Sequence, residues 1–234
     1  MKMFKQEKTK LVNSVFKEVY KKYDLMNDIM SLGIHRLWKR DLLYWMSPNQ
    51  NQDLIDVASG TGDIAMIYSK KLNHRCSVSC VEPNKEMLKE GEKKLKNLSN
   101  IKWYNSAAEK LPFKDDTFDY YTISFGLRNV SDINSALKEA YRVLKPGGRF
   151  FCLEFSKVEN EFINYFYQKY SKILPKFGKV ILGNSAPYEY LVESIDRFYN
   201  QDDLRNLLID NSFVNVEYRN VSSGIAAIHT GWKI

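Results

Sequence analysis

Apolar positions along this chain keep two different periods, and the change of period locates the elements. Between residues 10 and 46 they recur at helical intervals: Leu11, Val15 and Val19, then Met26, Ile29 and Met30. Gly33 interrupts this pattern and Ser47-Pro48-Asn49 ends it. From Asp53 the pattern becomes short apolar runs divided by turn residues. Asp53–Ala58 reads as a strand that stops at Gly60-Thr61-Gly62, and a helix follows to about Lys71. Ser77–Val81 reads as a second strand, closed by Glu82-Pro83-Asn84. Met87, Leu88 and Leu95 give residues 84–97 helical spacing. Ile101–Tyr104 and Phe118–Ser124 read as strands, and Ser131–Leu144 as a helix capped by Ser131 or Asp132. Pro146-Gly147-Gly148 turns into a fifth strand, Arg149–Phe155.

Strand, helix, strand, helix, strand, strand, helix, strand predicts a mostly parallel, doubly wound α/β sheet with helices on both faces and right-handed crossovers. Residues 157–200 read as helices without a strand, an insertion over the sheet's ligand edge. Phe213–Tyr218 and Ile225–Thr230 add two closing strands, which makes seven. The expected organisation is one domain: an N-terminal helical lid at 1–48, a ligand-binding core at 49–156, the helical insertion at 157–200, and a closing helix and strands at 201–234.

Composition narrows the class. The chain has 234 residues, 44% of them hydrophobic and 14% aromatic, enough for a sizeable core. No run approaches the length of a membrane-spanning helix, and the basic N-terminus is not followed by an apolar run. A cytoplasmic protein is expected. The net charge of +7 raises the question of nucleic acid, but Lys89, Lys93, Lys94 and Lys96 are dispersed over a helix and no nucleic-acid-binding motif organises them. Solvated helix faces and no nucleic-acid partner are expected. Cys76, Cys80 and Cys152 lack metal-ligand spacing and read as reduced core thiols, with no metal.

Candidate chemistry collects at the strand ends. In an open parallel sheet, ligands bind beyond the carboxyl ends of the strands, at the switch point. There the first strand runs into Asp56-Val57-Ala58-Ser59-Gly60-Thr61-Gly62-Asp63, where Gly60 and Gly62 let a ligand approach the backbone. Glu82 lies 20 residues after Gly62, placed to accept both hydroxyls of a ribose. Gly60-x-Gly62-x-x-Ala65 also satisfies the loose dinucleotide pattern. Two electrostatic features favour S-adenosylmethionine over a dinucleotide. Asp56 suits a ligand ammonium, and Asp63 would repel a diphosphate. A third feature, Pro146-Gly147-Gly148 before strand five, belongs to a layout that recurs among methyltransferases. Arg128 and Asn129 follow strand four on the ligand edge, and a guanidinium there can lower a phenol's pKa and hold the oxyanion. The alternatives are a surface arginine and an ordinary helix cap.

Four segments carry a family resemblance: Tyr23–Trp38 (YDLMNDIMSLGIHRLW), Ser124–Val130 (SFGLRNV), Arg142–Ser156 (RVLKPGGRFFCLEFS) and Gly224–Lys233 (GIAAIHTGWK). Together they resemble the ubiquinone/menaquinone biosynthesis C-methyltransferases, class I enzymes with a Rossmann-like fold. The resemblance implies cofactor contacts at Thr61, Glu82, the pair Ala107-Ala108 and Ser124. Where the family often has Asp or Asn before Ala, this chain has Ala107, so only backbone contact is expected there. Tyr199 stands where the family frequently has proline.

The implied substrate is the ring carbon of a reduced polyprenyl demethylquinone: 2-methoxy-6-polyprenyl-1,4-benzoquinol, demethylmenaquinol, or both. Arg128 and Asn129 are then the expected catalytic residues. Tyr23, Asn27, His35 and Trp38 would form a substrate wall, with His35 or Asp24 relaying a proton, unless these side chains only pack the lid. Met26, Met30 and Met46 read as core. A lipid-borne substrate implies visits to the membrane surface, through residues 161–182 with Phe162, Tyr165, Phe166, Tyr170, Leu174 and Phe177, against the alternative of a packed lid helix. Self-association or a complex with other quinone-biosynthesis enzymes is compatible with this reading. Two other functions stay open: methylation of another small phenol or lipid, and a non-catalytic cofactor-binding scaffold.

Overall fold

The structure is a computed structural model that describes residues 28, 31, 33–182 and 185–234; within 171–182 it describes the side chain of Ile173. The expected lid positions Tyr23, Asp24, Met26, Asn27 and Met30 lie outside the described residues.

Seven strands form one sheet: β1 (Leu54–Val57), β2 (Val78–Val81), β3 (Ile101–Tyr104), β4 (Phe118–Ser124), β5 (Leu144–Phe155), β6 (Val214–Val221) and β7 (Ala226–Trp232). Their order is β3-β2-β1-β4-β5-β7-β6. The pairs from β3 through β5 are parallel, and β7 runs antiparallel to both β5 and β6. This is the expected mostly parallel, doubly wound α/β sheet. The chain builds outward from β1 through β2 to β3, then returns to the other side with β4. The switch point therefore lies between β1 and β4.

The described helices are α1 (His35–Met46), α2 (Asp63–Lys71), α3 (Lys85–Lys94), α4 (Ile133–Val143), α5 (Glu161–Leu182), α6 (Ala186–Asp196) and α7 (Gln201–Asp210), with a short 3₁₀ turn at Leu127–Asn129. Local chemistry sets their starts. The Asn84 side chain accepts the Met87 N–H at the head of α3, Asp132 accepts that of Ser135 for α4, and Asn200 accepts that of Asp203 for α7. Of the two expected caps for α4, Asp132 is the one used.

Why the central strands read as unbroken apolar runs is plain from their burial: every residue of β1 and β2 is buried. Side chains alternate between the two faces. Phe151 and Leu153 of β5 pack with α1 residues Trp38, Leu42 and Met46. Phe150 and Cys152 pack on the opposite face, with Ala136, Leu137 and Ala140 of α4 and Leu204 and Leu208 of α7. Cys80 and Cys152 are buried, Cys76 is half-buried, and all three are free thiols. Met46 is a core residue at 2% exposure.

One strand boundary differs from expectation. β5 begins at Leu144 rather than Arg149. Phe118 pairs with Leu144 and Tyr120 with Arg149, so residues 145–148 bulge from the ladder. Gly147, at φ +80°, donates its N–H to Lys233 O (2.8 Å), and Gly148 O accepts from Lys233 N (3.0 Å). Pro146-Gly147-Gly148 is thus a bulge stitched to the chain end, not a separate turn.

Candidate active site

β1 ends in a backbone hook. Ala58 (φ +50°), Gly60 (φ +56°) and Gly62 (φ +83°) take left-handed conformations in five residues. Gly62 is also sterically required. A Cβ there would stand 2.7 Å from Leu95 Cδ1 and 3.0 Å from Trp103 Cη2. The hook lets α2 start directly beneath the strand ends. A cleft opens at the switch point, lined by Lys39, Asp56, Ala58 to Thr61 of the hook, Asp63, Ser124 and Phe125.

Two polar atoms in this cleft lack partners among the described residues. Asp56 is 1% exposed, and its Oδ1 accepts the Thr122 hydroxyl (2.7 Å) while its Oδ2 has no hydrogen bond. Ser124 Oγ is likewise buried without a partner. Such atoms carry a desolvation penalty that a bound ligand would relieve. Burial raises the Asp56 carboxyl to about 7, against the pull of the Thr122 hydrogen bond and of Lys39.

Glu82 closes the hook from β2. One carboxylate oxygen accepts the Gly60 N–H (2.9 Å) and the other accepts the Asn84 N–H (2.9 Å). Each oxygen keeps a second lone pair for a ligand hydroxyl. Burial raises this carboxyl also to about 7, although the two N–H groups oppose the shift. The loop after β3 is tied to the same place, since Asn105 Nδ2 donates to Glu82 O (2.8 Å) and Pro83 O (3.0 Å). Ala108 is buried there, and the exposed Ala107 lends its carbonyl to Lys110 N.

The expectation that Asp63 would repel a diphosphate does not hold. Its Oδ2 pairs with Lys39 Nζ (2.7 Å) and its Oδ1 with Lys94 Nζ (2.6 Å). Lys94 also donates to Thr61 Oγ1 (3.1 Å). Burial would raise the Asp63 carboxyl, but the two lysines hold it well below the usual carboxylate range. Asp63 is an ion-paired carboxylate rather than a free one, and gives no reason to exclude a diphosphate. The Asp56 Oδ2, without a partner among the described residues, still favours a ligand with a cationic group.

Arg128 is not a surface arginine. It is 6% exposed, in the 3₁₀ turn after β4. Its Nη1 donates to Glu154 Oε1 (2.7 Å) and to Phe125 O (2.6 Å), and its Nε to Ser194 Oγ of α6 (3.3 Å). Nη2 is the arm without a hydrogen bond to the described residues. Glu154 is 1% exposed, and burial raises its carboxyl while Arg128 pulls it back. Asn129 is no helix cap: its Oδ1 accepts the Tyr190 hydroxyl of α6 (2.9 Å). Helix α6 thus contacts this turn twice, through Ser194 and Tyr190.

His35 and Trp38 are both buried on α1 and do not line the cleft. His35 Nδ1 lies 2.8 Å from Ser31 Oγ, and burial lowers its pKa. The Trp38 indole donates to Ser222 Oγ (2.9 Å) and packs against Phe125 and Phe155. Elsewhere, the exposed His74 lies against Ser69 Oγ (2.8 Å), and His229 is buried with Nε2 beside Gln201 O (2.9 Å) and Nδ1 unpartnered. Lys39, Thr122, Glu154 and Tyr190 enter the site without having been singled out in the sequence, and Lys94, expected on a solvated helix face, instead donates to Thr61 and Asp63.

Known proteins place this geometry. Solved structures share the fold: a SAM-dependent methyltransferase of Thermotoga maritima (TM-score 0.67, 20% identity, 95% of this chain and 99% of that one) and one of Aquifex aeolicus (TM-score 0.63, 18% identity, 89% and 98%). The ubiquinone/menaquinone biosynthesis C-methyltransferase UbiE of Rickettsia bellii is 52% identical over 235 residues, 97% of this chain and 94% of its own length. The protein of the same name from Rickettsia rickettsii is 53% identical over 233 residues, with the same coverage. Residues 1–233 match the ubiE/COQ5 methyltransferase family, and the chain belongs to that family.

Proposed function

We propose that this protein transfers a methyl group from S-adenosylmethionine to a ring carbon of a reduced polyprenyl demethylquinone. The near-full-length similarity to proteins named for that reaction supports the reading most directly. The site chemistry agrees with it. Glu82 suits a ribose diol, Asp56 an amino-acid ammonium, and Ser124 Oγ a further polar contact. When bound, S-adenosylmethionine supplies an electrophilic methyl group on a positive sulfur.

The chain's own task is then to hold the acceptor ring and manage its charge. Loss of the phenolic proton makes the neighbouring ring carbon nucleophilic. The Nη2 arm of Arg128 is available to the phenolate oxygen, and Glu154 fixes the guanidinium so that little reorganisation is needed. Asn129 and Tyr190 hold the adjoining turn against α6. After transfer, the ring carbon loses its proton and aromaticity returns. In this reading His35 is a packing residue, because it is 2% exposed and Ser31 Oγ holds its Nδ1.

The test is direct. Purified protein, S-adenosylmethionine and each candidate quinol should yield a product heavier by one CH₂ unit in mass spectrometry. Methylation of unrelated phenols but of neither quinol would move the substrate elsewhere. No transfer in a single turnover with bound cofactor would leave only the scaffold role.

The carboxylates predict a pH dependence. Asp56 and Glu82 both titrate near pH 7. A ligand with an ammonium and donating hydroxyls favours the ionised forms. Cofactor affinity should therefore be full above pH 7 and fall below it, by up to about tenfold per pH unit for each carboxylate. Calorimetry in buffers of different ionisation heat should register proton release on binding near pH 6.5. A flat profile between pH 6 and 8 contradicts the two assignments.

A lipid-borne acceptor calls for contact with a bilayer. Among the described residues, no helix is long and apolar enough to cross one. The α5 helix instead exposes Phe162 (72%), Tyr165 (55%), Phe166 (54%) and Ile173 (46%), with Lys169 Nζ 4.3 Å from the Tyr165 ring centre. Aromatic and basic residues at this spacing suit an interfacial helix. Changing Phe162 and Phe166 together to Ser should reduce co-sedimentation with anionic vesicles and leave the thermal melt in place. Equal sedimentation of both proteins would remove α5 from this role.

A further inference from the structure

The cleft carries one cation that nothing above uses. Lys39 occupies a core position of α1, on the face formed by His35, Trp38, Leu42, Leu43 and Met46. Its side chain is only 9% exposed. A lysine on an apolar stripe needs a charged partner to stay there. Asp63 is that partner, yet it already holds a second lysine, Lys94, at 2.6 Å. One carboxylate is thus shared between two ammonium groups, and Lys39 gives it one of three N–H donors. Lys39 lines the same cleft as Asp56, whose Oδ2 has no hydrogen bond among the described residues.

We propose that Lys39 binds the carboxylate of the cofactor's methionyl end, opposite Asp56 at its ammonium. The inference rests on the S-adenosylmethionine reading of the cleft. An amino-acid terminus carries one negative and one positive group on a single carbon, and Lys39 and Asp56 supply the complementary pair. Lys39 fits the role better than Lys94. It lines the cleft, which Lys94 does not, and one of its three N–H donors reaches Asp63. Lys94 is committed to both Thr61 and Asp63 and stands at the outer rim, with its side chain 33% exposed. If Lys39 shares itself with a ligand carboxylate, Asp63 remains paired through Lys94. Because Lys39 belongs to α1, this contact joins the N-terminal helix to the cofactor as well as to the hook.

Three ligands isolate the contact in binding calorimetry. S-adenosylhomocysteine has both charged groups, its decarboxylated analogue keeps only the ammonium, and 5′-methylthioadenosine has neither. The unaltered protein should bind the first about 10- to 100-fold tighter than the second, as expected of a charged hydrogen bond in a buried site. In Lys39→Met that gap should close, with affinity for 5′-methylthioadenosine unchanged. Lys39→Arg should keep most of the gap. If Lys39→Met does not fold, Lys39→Gln, which can still donate toward Asp63, reads the same gap. Equal weakening of all three ligands, or a gap that survives the loss of the ammonium side chain, overturns the proposal. Failure of the unaltered protein to bind S-adenosylhomocysteine would instead overturn the cofactor reading on which it rests.

Discussion

Arg128→Ala is expected to lower kcat by about 100- to 1,000-fold, the effect of losing one donor to a developing oxyanion. It should also lower the unfolding free energy by about 3–5 kcal/mol, because it strips one partner from a buried ion pair. The second effect comes from Glu154, which is 1% exposed and would keep a carboxylate with no cation beside it. A low kcat in Arg128→Ala alone could therefore come from a loosened turn rather than from a missing charge. The double variant Arg128→Met, Glu154→Gln separates the two. It removes both charges and keeps one acceptor oxygen, enough for one of the two backbone N–H groups, Arg128 and Phe155, that the two oxygens of Glu154 now serve. Replacing both members of a buried pair is often close to neutral for stability. Thermal melts should show the double variant recovering most of the stability while kcat stays low and cofactor affinity stays close to its original value. Recovery of kcat along with stability would reduce Arg128 to a positioning residue that acts only by holding the turn.

The elements of this fold could be read because periodicity is a local property. The runs at Ile101–Tyr104 and Phe118–Ser124 are strands with those bounds. The start of β5 was not legible: glycine and proline usually end a strand, and only the partner at Lys233 shows that this stretch is a bulge within one. The glycine hook and Glu82 could be found because both lie at strand ends fixed by the local pattern. Arg128 could be placed on the ligand edge, but its partner Glu154 lies 26 residues away and Ser194 66 residues away, distances that sequence spacing does not bridge. There were still usable signals. Glu154 sits inside the apolar run Phe150–Phe155, and Lys39 sits on the buried stripe of α1. A charge at a core position implies a partner, even when the partner cannot be named. The pairing of Asp63 was not legible for the opposite reason: a carboxylate that stands alone in its own segment is held by Lys39 and Lys94, 24 and 31 residues away.

Glu82→Ala should weaken cofactor binding by about 100-fold, the loss of two hydroxyl contacts to a charged acceptor, and should do so with little loss of stability. The second half of this expectation is the diagnostic one. The Glu82 carboxyl titrates at about 7 in the folded protein against an ordinary value of 4.5. A raised folded pKa in an acid means that its contribution to stability is full below the unfolded value and is lost as pH rises through the folded one. By pH 8 the buried carboxylate destabilises the ligand-free protein by about 3 kcal/mol. Its removal relieves that penalty. Against this stand two backbone N–H groups, Gly60 and Asn84, which lose their acceptor at about 1–3 kcal/mol each unless water replaces it. Gly60 borders the open cleft, where water can reach it. The terms are similar in size, so the ligand-free melting temperature at pH 8 should move little. At pH 5, where the carboxyl is protonated and the penalty is absent, the same variant should melt clearly below the unaltered protein. Added S-adenosylhomocysteine should raise the melting temperature of the unaltered protein and hardly affect the variant. A residue that only braced the hook would give the reverse: a large stability loss at both pH values, and a cofactor response that survives in whatever fraction remains folded. Unchanged affinity would remove Glu82 from the ribose altogether and leave the 3 kcal/mol of buried charge without a purpose in this site.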